Sequence, residues 1–171
     1  MELLSPGYPP LKLDGLTGWS SEFRAQLNHA SAITVVSGYV SEFALKTLTD
    51  LISTASETLP NLKRFELVVG MAYFEGLTAR QKSALLKLQS ALSKNDLGSV
   101  SIPMFMKVHS KCSVFFHGQK IVAIIGSTNL TALVPHRQSE LDIKIESPDQ
   151  QALLARDYAQ KVVELSTPVD E

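Results

Sequence analysis

The chain has one cysteine, Cys112. A lone thiol excludes an intrachain disulfide framework and a cysteine-based zinc site. Aromatic residues make up 7% of the sequence, with a single tryptophan, Trp19. Long apolar runs are missing as well. The longest aliphatic stretch, residues 121–125, is far too short to span a bilayer. The start, Met1 to Pro10, carries Glu2 and two adjacent prolines, and lacks the basic and apolar regions of a signal peptide. Charge of one sign is not in excess either: 16 Lys plus Arg stand against 17 Asp plus Glu, for a net charge of -1. No global field pushes the chain towards nucleic acid or membrane, so any anion site must be local. These absences predict a cytoplasmic protein with no membrane partner.

What is present is an ordinary globular composition, 44% hydrophobic over 171 residues. That predicts a single domain over 1–171, with an irregular lead-in over 1–20 and a short polar tail over 166–171. A chain of this size buries roughly 70% of its unfolded surface, enough for a core without metal or disulfide support. Ile33 to Ser37 and Phe65 to Val69 read as buried strands. Between them, Val40, Ala44, Leu48, Leu51 and Ala55 recur at helical spacing. Thr78 with Gln81 has the form of a capping box, opening a helix that carries Leu85, Leu88 and Leu92. Val100 to Met106 reads as a third strand. Cys112 to Phe116 and Lys120 to Ile125 flank His117-Gly118-Gln119 as a hairpin, and Leu141 to Ile145 alternates as a further strand. Ser147-Pro148-Asp149-Gln150 predicts the start of a last helix, with Ser147 as its cap. This order predicts an α/β fold: a mixed β-sheet flanked by helices.

The chemistry concentrates in one window. Phe105 to Ser139 holds three of the four histidines together with Lys107, Lys111, Lys120 and Arg137, and no Asp or Glu. Elsewhere acids outnumber bases, so this segment carries the local positive potential that an anion site requires. His109-Ser110-Lys111 precedes a strand, and period two places both side chains on one face. The strand at 121–125 then runs into Gly126-Ser127-Thr128-Asn129, which sets hydroxyl and amide donors at a strand end; Gly126 allows close backbone approach. Glu140 follows as the first acid after the window. A histidine can serve as nucleophile, lysine and asparagine can hold phosphate oxygens, and a carboxylate can fix the imidazole tautomer. The set suits phosphoryl transfer without a metal or other cofactor.

His109-x-Lys111 followed by Gly126-Ser127-x-Asn129 resembles the signature of the phospholipase D superfamily. Where that family has an Asp after His-x-Lys, this chain has Phe116, which weighs against the lipid-acting members. Residues 70–78, Gly-Met-Ala-Tyr-Phe-Glu-Gly-Leu-Thr, and Ser139-Glu140-Leu141-Asp142 resemble the restriction-endonuclease branch, the BfiI and NgoFVII-type enzymes. The resemblance implies a phospholipase D-like fold and a metal-independent DNA endonuclease. It implies His109, Lys111, Asn129 and Glu140 as the catalytic set in each chain. One His-x-Lys per chain implies a homodimer with the site at its interface. There one His109 forms a phosphohistidine while the other protonates the leaving oxygen, and Glu140 orients the ring. DNA is the implied partner, with recognition supplied by a separate or missing domain.

Three further residues are candidate substrate contacts: Ser127 for its hydroxyl, Lys107 for its charge, and Tyr39 for its place after the first predicted strand. Tyr73, Phe74 and Glu75 occupy a comparable place after the second strand. His117 reads as a turn residue, His136 as a loop residue beside Arg137, and Cys112 as a small core residue. Two other functions fit the same residues: a lipid phosphodiesterase or transferase on this scaffold, and a dimeric nucleic-acid-binding module without catalysis.

Overall fold

Branched and aromatic side chains alternate along the predicted strands, and this alternation builds the molecule. The structure, a computed structural model, describes residues 1–4, 14–134 and 140–169. In chain order the elements are β1 (Glu2–Leu4), α1 (Trp19–Leu27), β2 (Ala32–Ser37), α2 (Glu42–Ser53), α3 (Ala55–Thr58), β3 (Arg64–Val69), α4 (Ala72–Glu75) and α5 (Ala79–Lys94). They continue with β4 (Gly98–Ile102), β5 (Lys111–His117), β6 (Lys120–Gly126), a 3-10 turn (Leu130–Leu133), β7 (Asp142–Glu146), α6 (Gln150–Glu164) and β8 (Thr167–Pro168).

Among the described residues eight strands form one mixed sheet in the order β1-β7-β6-β5-β2-β3-β4-β8. The β2, β3 and β4 strands are parallel, and every other pairing is antiparallel. Period two sorts the strand residues into two cores. Ile33, Val35, Phe65, Leu67, Phe115, Val122 and Ile124 face a core shared with α1, α2 and α5. Val36, Val68, Val114 and Ala123 face a second core under α6. The predicted mixed sheet with flanking helices is therefore the fold observed. The capping box of α5 is also present, with Gln81 N–H donating to Thr78 Oγ1 at 3.2 Å.

Several boundaries differ from the sequence reading. The lead-in is not wholly irregular: β1 pairs with β7, and α1 starts at Trp19. Lys144 anchors β1 by bridging Glu2 at 2.6 Å and Glu22 of α1 at 3.1 Å. The tail contributes β8, which pairs with β4. The third strand stops at Ile102, because Pro103 has no N–H to continue a ladder. Residues 103–110 form a loop instead. The cap of α6 is Asp149, which accepts from Gln151 N–H at 2.9 Å; Ser147 instead accepts the N–H of Ile121 at 3.0 Å. His117 closes β5 and bonds Gln26 Oε1 at 2.7 Å. His136, Arg137 and Ser139 lie outside the described residues.

The topology brings the carboxyl ends of β2, β3 and β6 to the same end of the sheet as the amino ends of β5 and β7. Ser37 pairs with Lys111, Cys112 with Ile125, and Gly126 with Asp142.

Candidate active site

The loop that enters β5 is fixed before it delivers His109. Val108 is buried and donates its N–H to Gly70 O at 3.2 Å. A Cβ on Gly70 would overlap the Val108 carbonyl, so the close crossing of the two backbones needs glycine there. His109 itself is exposed, and Lys111 is half-buried. Lys111 Nζ lies 3.1 Å from His109 Nδ1 and 3.2 Å from Nε2, and donates to the His109 carbonyl at 2.6 Å. The two side chains converge as the spacing predicts. Burial lowers the Lys111 ammonium below the usual lysine range, and the charge of Glu140 acts in the opposite sense.

The second half of the site hangs from the end of β6. Thr128 N–H donates to Asp142 Oδ1 at 3.2 Å, and the Thr128 hydroxyl bonds the other carboxylate oxygen. Asp142 is buried, which raises its carboxyl pKa, while the Thr128 bonds pull it down. Gly126 does allow close approach: a Cβ there would overlap Asp142 and the Leu141 carbonyl. Ser37 Oγ accepts the Leu130 N–H at 2.9 Å and donates to the Tyr39 carbonyl at 2.7 Å. These bonds hold Asn129, whose Oδ1 accepts the Tyr39 N–H at 3.0 Å. With the oxygen so occupied, the amide NH2 of Asn129 is the end left to face a ligand oxygen.

Gly38 joins the two halves. An ideal Cβ at Gly38 would stand 3.2 Å from His109 Cδ2 and 3.5 Å from Asn129 Oδ1. His109, Lys111 and Asn129 therefore surround one point at the sheet end. Tyr39 lies beside them, its ring edge-on to the His109 ring at 5.3 Å between centroids. Its hydroxyl donates to Glu75 Oε2 at 2.8 Å, a bond that raises the phenol pKa. Glu140 is half-buried and acts on Lys111 and Asp142 through its charge; no hydrogen bond joins it to His109 among the described contacts.

Two of the candidate substrate contacts have other engagements. Ser127 Oγ accepts the Leu141 N–H at 3.0 Å. Lys107 Nζ lies 5.8 Å from the centre of the Phe74 ring. Phe116 sits five residues along β5 from Lys111, about 17 Å away at strand rise. Position 116, where the family pattern has Asp, is therefore remote from Lys111. A cavity of about 130 Å³ is lined by Tyr39, Met71, Glu75, Leu77 and Gln81. His109, Lys111 and Asn129 are not part of its lining.

Ser37, Gly38, Thr128, Asp142 and Glu75 were not singled out by sequence for the roles they hold here. Their signals were faint. Gly38 precedes Tyr39, Thr128 fills the variable position of Gly-Ser-x-Asn, and Asp142 ends the quoted Ser-Glu-Leu-Asp.

Residues 20–167 match the family model described as the NgoFVII restriction endonuclease N-terminal PLD domain. The chain belongs to this family. The NgoFVII-type membership places it among the nucleases of the phospholipase D superfamily, in agreement with the resemblance in its motifs. No curated protein gives a significant sequence match. The fold is similar to that of Nuc from Salmonella typhimurium, a phospholipase D family member, at 12% identity and TM-score 0.62 over 86% of this chain and 88% of that one. NucT from Helicobacter pylori aligns at 11% identity and TM-score 0.59, covering 87% of this chain and 89% of the other. Polyphosphate kinase from Porphyromonas gingivalis aligns at 13% identity and TM-score 0.63 over 99% of this chain and 24% of its own length. Among the described residues no helix is long and apolar enough to cross a membrane.

Proposed function

We propose that the chain is a metal-independent DNA endonuclease domain that works in the cytoplasm as a homodimer, with one site shared by two copies. The observation that carries this reading is the convergence of His109, Lys111 and Asn129 around Gly38. In the first step an imidazole nitrogen of one His109 attacks phosphorus, and the bond from phosphorus to the leaving oxygen breaks. His109 of the second copy gives that oxygen a proton. In the second step the same second histidine takes a proton from water, the water oxygen attacks phosphorus, and the phosphorus–nitrogen bond breaks. Lys111 and Asn129 of both copies hold the non-bridging oxygens and stabilise the transition-state charge. A bound phosphate draws the Lys111 ammonium off the His109 ring. Glu140 tunes this cluster by its charge on Lys111. Recognition of a DNA sequence comes from a separate domain or partner.

The test is cleavage of plasmid and single-stranded DNA in EDTA by the wild type and His109→Ala. The wild type cleaves, and His109→Ala is slower by at least about a thousandfold. A DNA–protein adduct that acid removes and alkali spares identifies the phosphohistidine. Equal activity of the two proteins overturns the reading. Light scattering tests the shared site, and an active strict monomer refutes it.

A further inference from the structure

The loop that ends at His109 carries Met104, Phe105 and Met106 into solvent, and Phe105 is 91% exposed. Residues 103–110 are pinned at Val108 to Gly70, only two residues before α4 begins. That short helix turns Tyr73 and Phe74 outward, 55% and 39% exposed, with their rings edge to face at 5.2 Å. Lys107 sets its ammonium over the Phe74 ring. One backbone junction thus gathers planar rings, two thioethers and a cation beside the nucleophile. The sequence from 97 to 139 has no carboxylate to repel a phosphate, and the one carboxylate of α4, Glu75, is engaged by the Tyr39 hydroxyl at 2.8 Å.

We propose that this surface is a base-stacking shelf. It takes unpaired nucleobases flanking the phosphodiester at His109, and it makes the chain prefer single-stranded or locally opened DNA over intact duplex. The inference rests on the reading above that DNA is the substrate. Aromatic faces can stack only on bases free of the duplex, because a closed duplex offers base edges in its grooves and phosphates outside. The interleaved Lys107 answers the phosphates between stacked bases. A second copy of the chain is the competing occupant, since Met, Phe and Tyr also suit protein interfaces; the exposed Lys107 and the carboxylate-free stretch 97–139 favour a polyanion instead.

The test uses the full chain carrying His109→Ala, so that binding is read without cleavage. Anisotropy of a labelled short oligothymidine is compared with that of a hairpin duplex. Phe105→Ala raises the Kd for the single strand by about tenfold and leaves the duplex Kd within about twofold. Phe105→Trp keeps single-strand affinity, and its exposed indole is quenched on titration against the constant signal of buried Trp19. An unchanged single-strand Kd in Phe105→Ala overturns the shelf. Equal weakening of both DNA forms does so too, as does conversion of a dimer to a monomer by Phe105→Ala. Phe105-dependent strand preference in a wild type that does not cleave would sink the endonuclease reading and keep the shelf. Cleavage with no dependence on Phe105 would do the reverse.

Discussion

Asn129 Oδ1 accepts the backbone N–H of Tyr39 at 3.0 Å, and this bond, with that of Leu130 N–H to Ser37 Oγ, ties the loop after β6 to the end of β2. The residue between β2 and Tyr39 is Gly38, which faces both Asn129 and His109. The histidine and the asparagine thus keep their separation only while that glycine has no side chain.

Gly38→Ala tests the point. Its Cβ would stand 3.2 Å from the His109 ring, so the ring must give by a few tenths of an ångström. Small displacements at a reacting centre cost rate steeply. The expected outcome is a fall in kcat of about tenfold with a melting temperature within about 2 °C of the wild type. Steady-state cleavage and a thermal melt check it, and unchanged kcat would show that the contact is slack.

The pH profile follows from Lys111. Burial lowers its pKa, and in the proposed mechanism the protonated form is the one that holds phosphate. Activity therefore falls with rising pH through a limb below the usual lysine range. Glu140 opposes the lowering, so Glu140→Gln moves that limb to lower pH still. A kcat/KM profile across the alkaline range reads the shift; a limb that stays put would refute the coupling.

Asp142 is the buried acceptor for both Thr128 donors. Asp142→Ala orphans those donors and destabilises the fold by about 3 kcal/mol, whereas Asp142→Asn keeps an acceptor for the Thr128 N–H and costs less. The folded carboxyl pKa is raised, chiefly by burial. Its contribution to stability is then fully present below the unfolded pKa and is lost as pH rises through the folded one. The wild type therefore loses stability relative to Asp142→Asn as pH rises from the acid range to neutrality. Urea unfolding at acid and neutral pH measures the difference, and a constant gap would contradict the raised pKa.

Burial pushes the Cys112 thiol up to about 12, beneath α6 in the second core. The native protein should therefore resist thiol reagents at neutral pH and react only once unfolded. Titration with a chromogenic disulfide, with and without denaturant, decides this; fast native labelling would mean that α6 opens readily.

The parts of this protein legible in its sequence share one property: their partners lie nearby in the chain. His109, Lys111 and Asn129 sit at the open end of one hairpin, so a short motif specifies them together. Gly38, Ser37 and Asp142 reach the site through strand pairing and distant loops, and no local pattern marks them. The same contrast holds for the fold. The strand at 33–37 and the leucine stripe of α5 show clean periods. In α1 the buried stripe includes Glu22, which is buried because Lys144 pairs with it, and the helix opens at Gly18 without a side-chain cap. Met104, Phe105 and Met106 read as strand because apolar residues usually mean burial, yet here they face water.

The sheet finishes in two very short strands. β1 offers three residues, and β8 offers two, one of them Pro168, which has no hydrogen to donate to a neighbour. Margins of that kind give another chain almost no ladder on which to grow. Copies of this protein must meet through faces and loops instead. At high concentration it should yield discrete particles rather than ribbons of indefinite length.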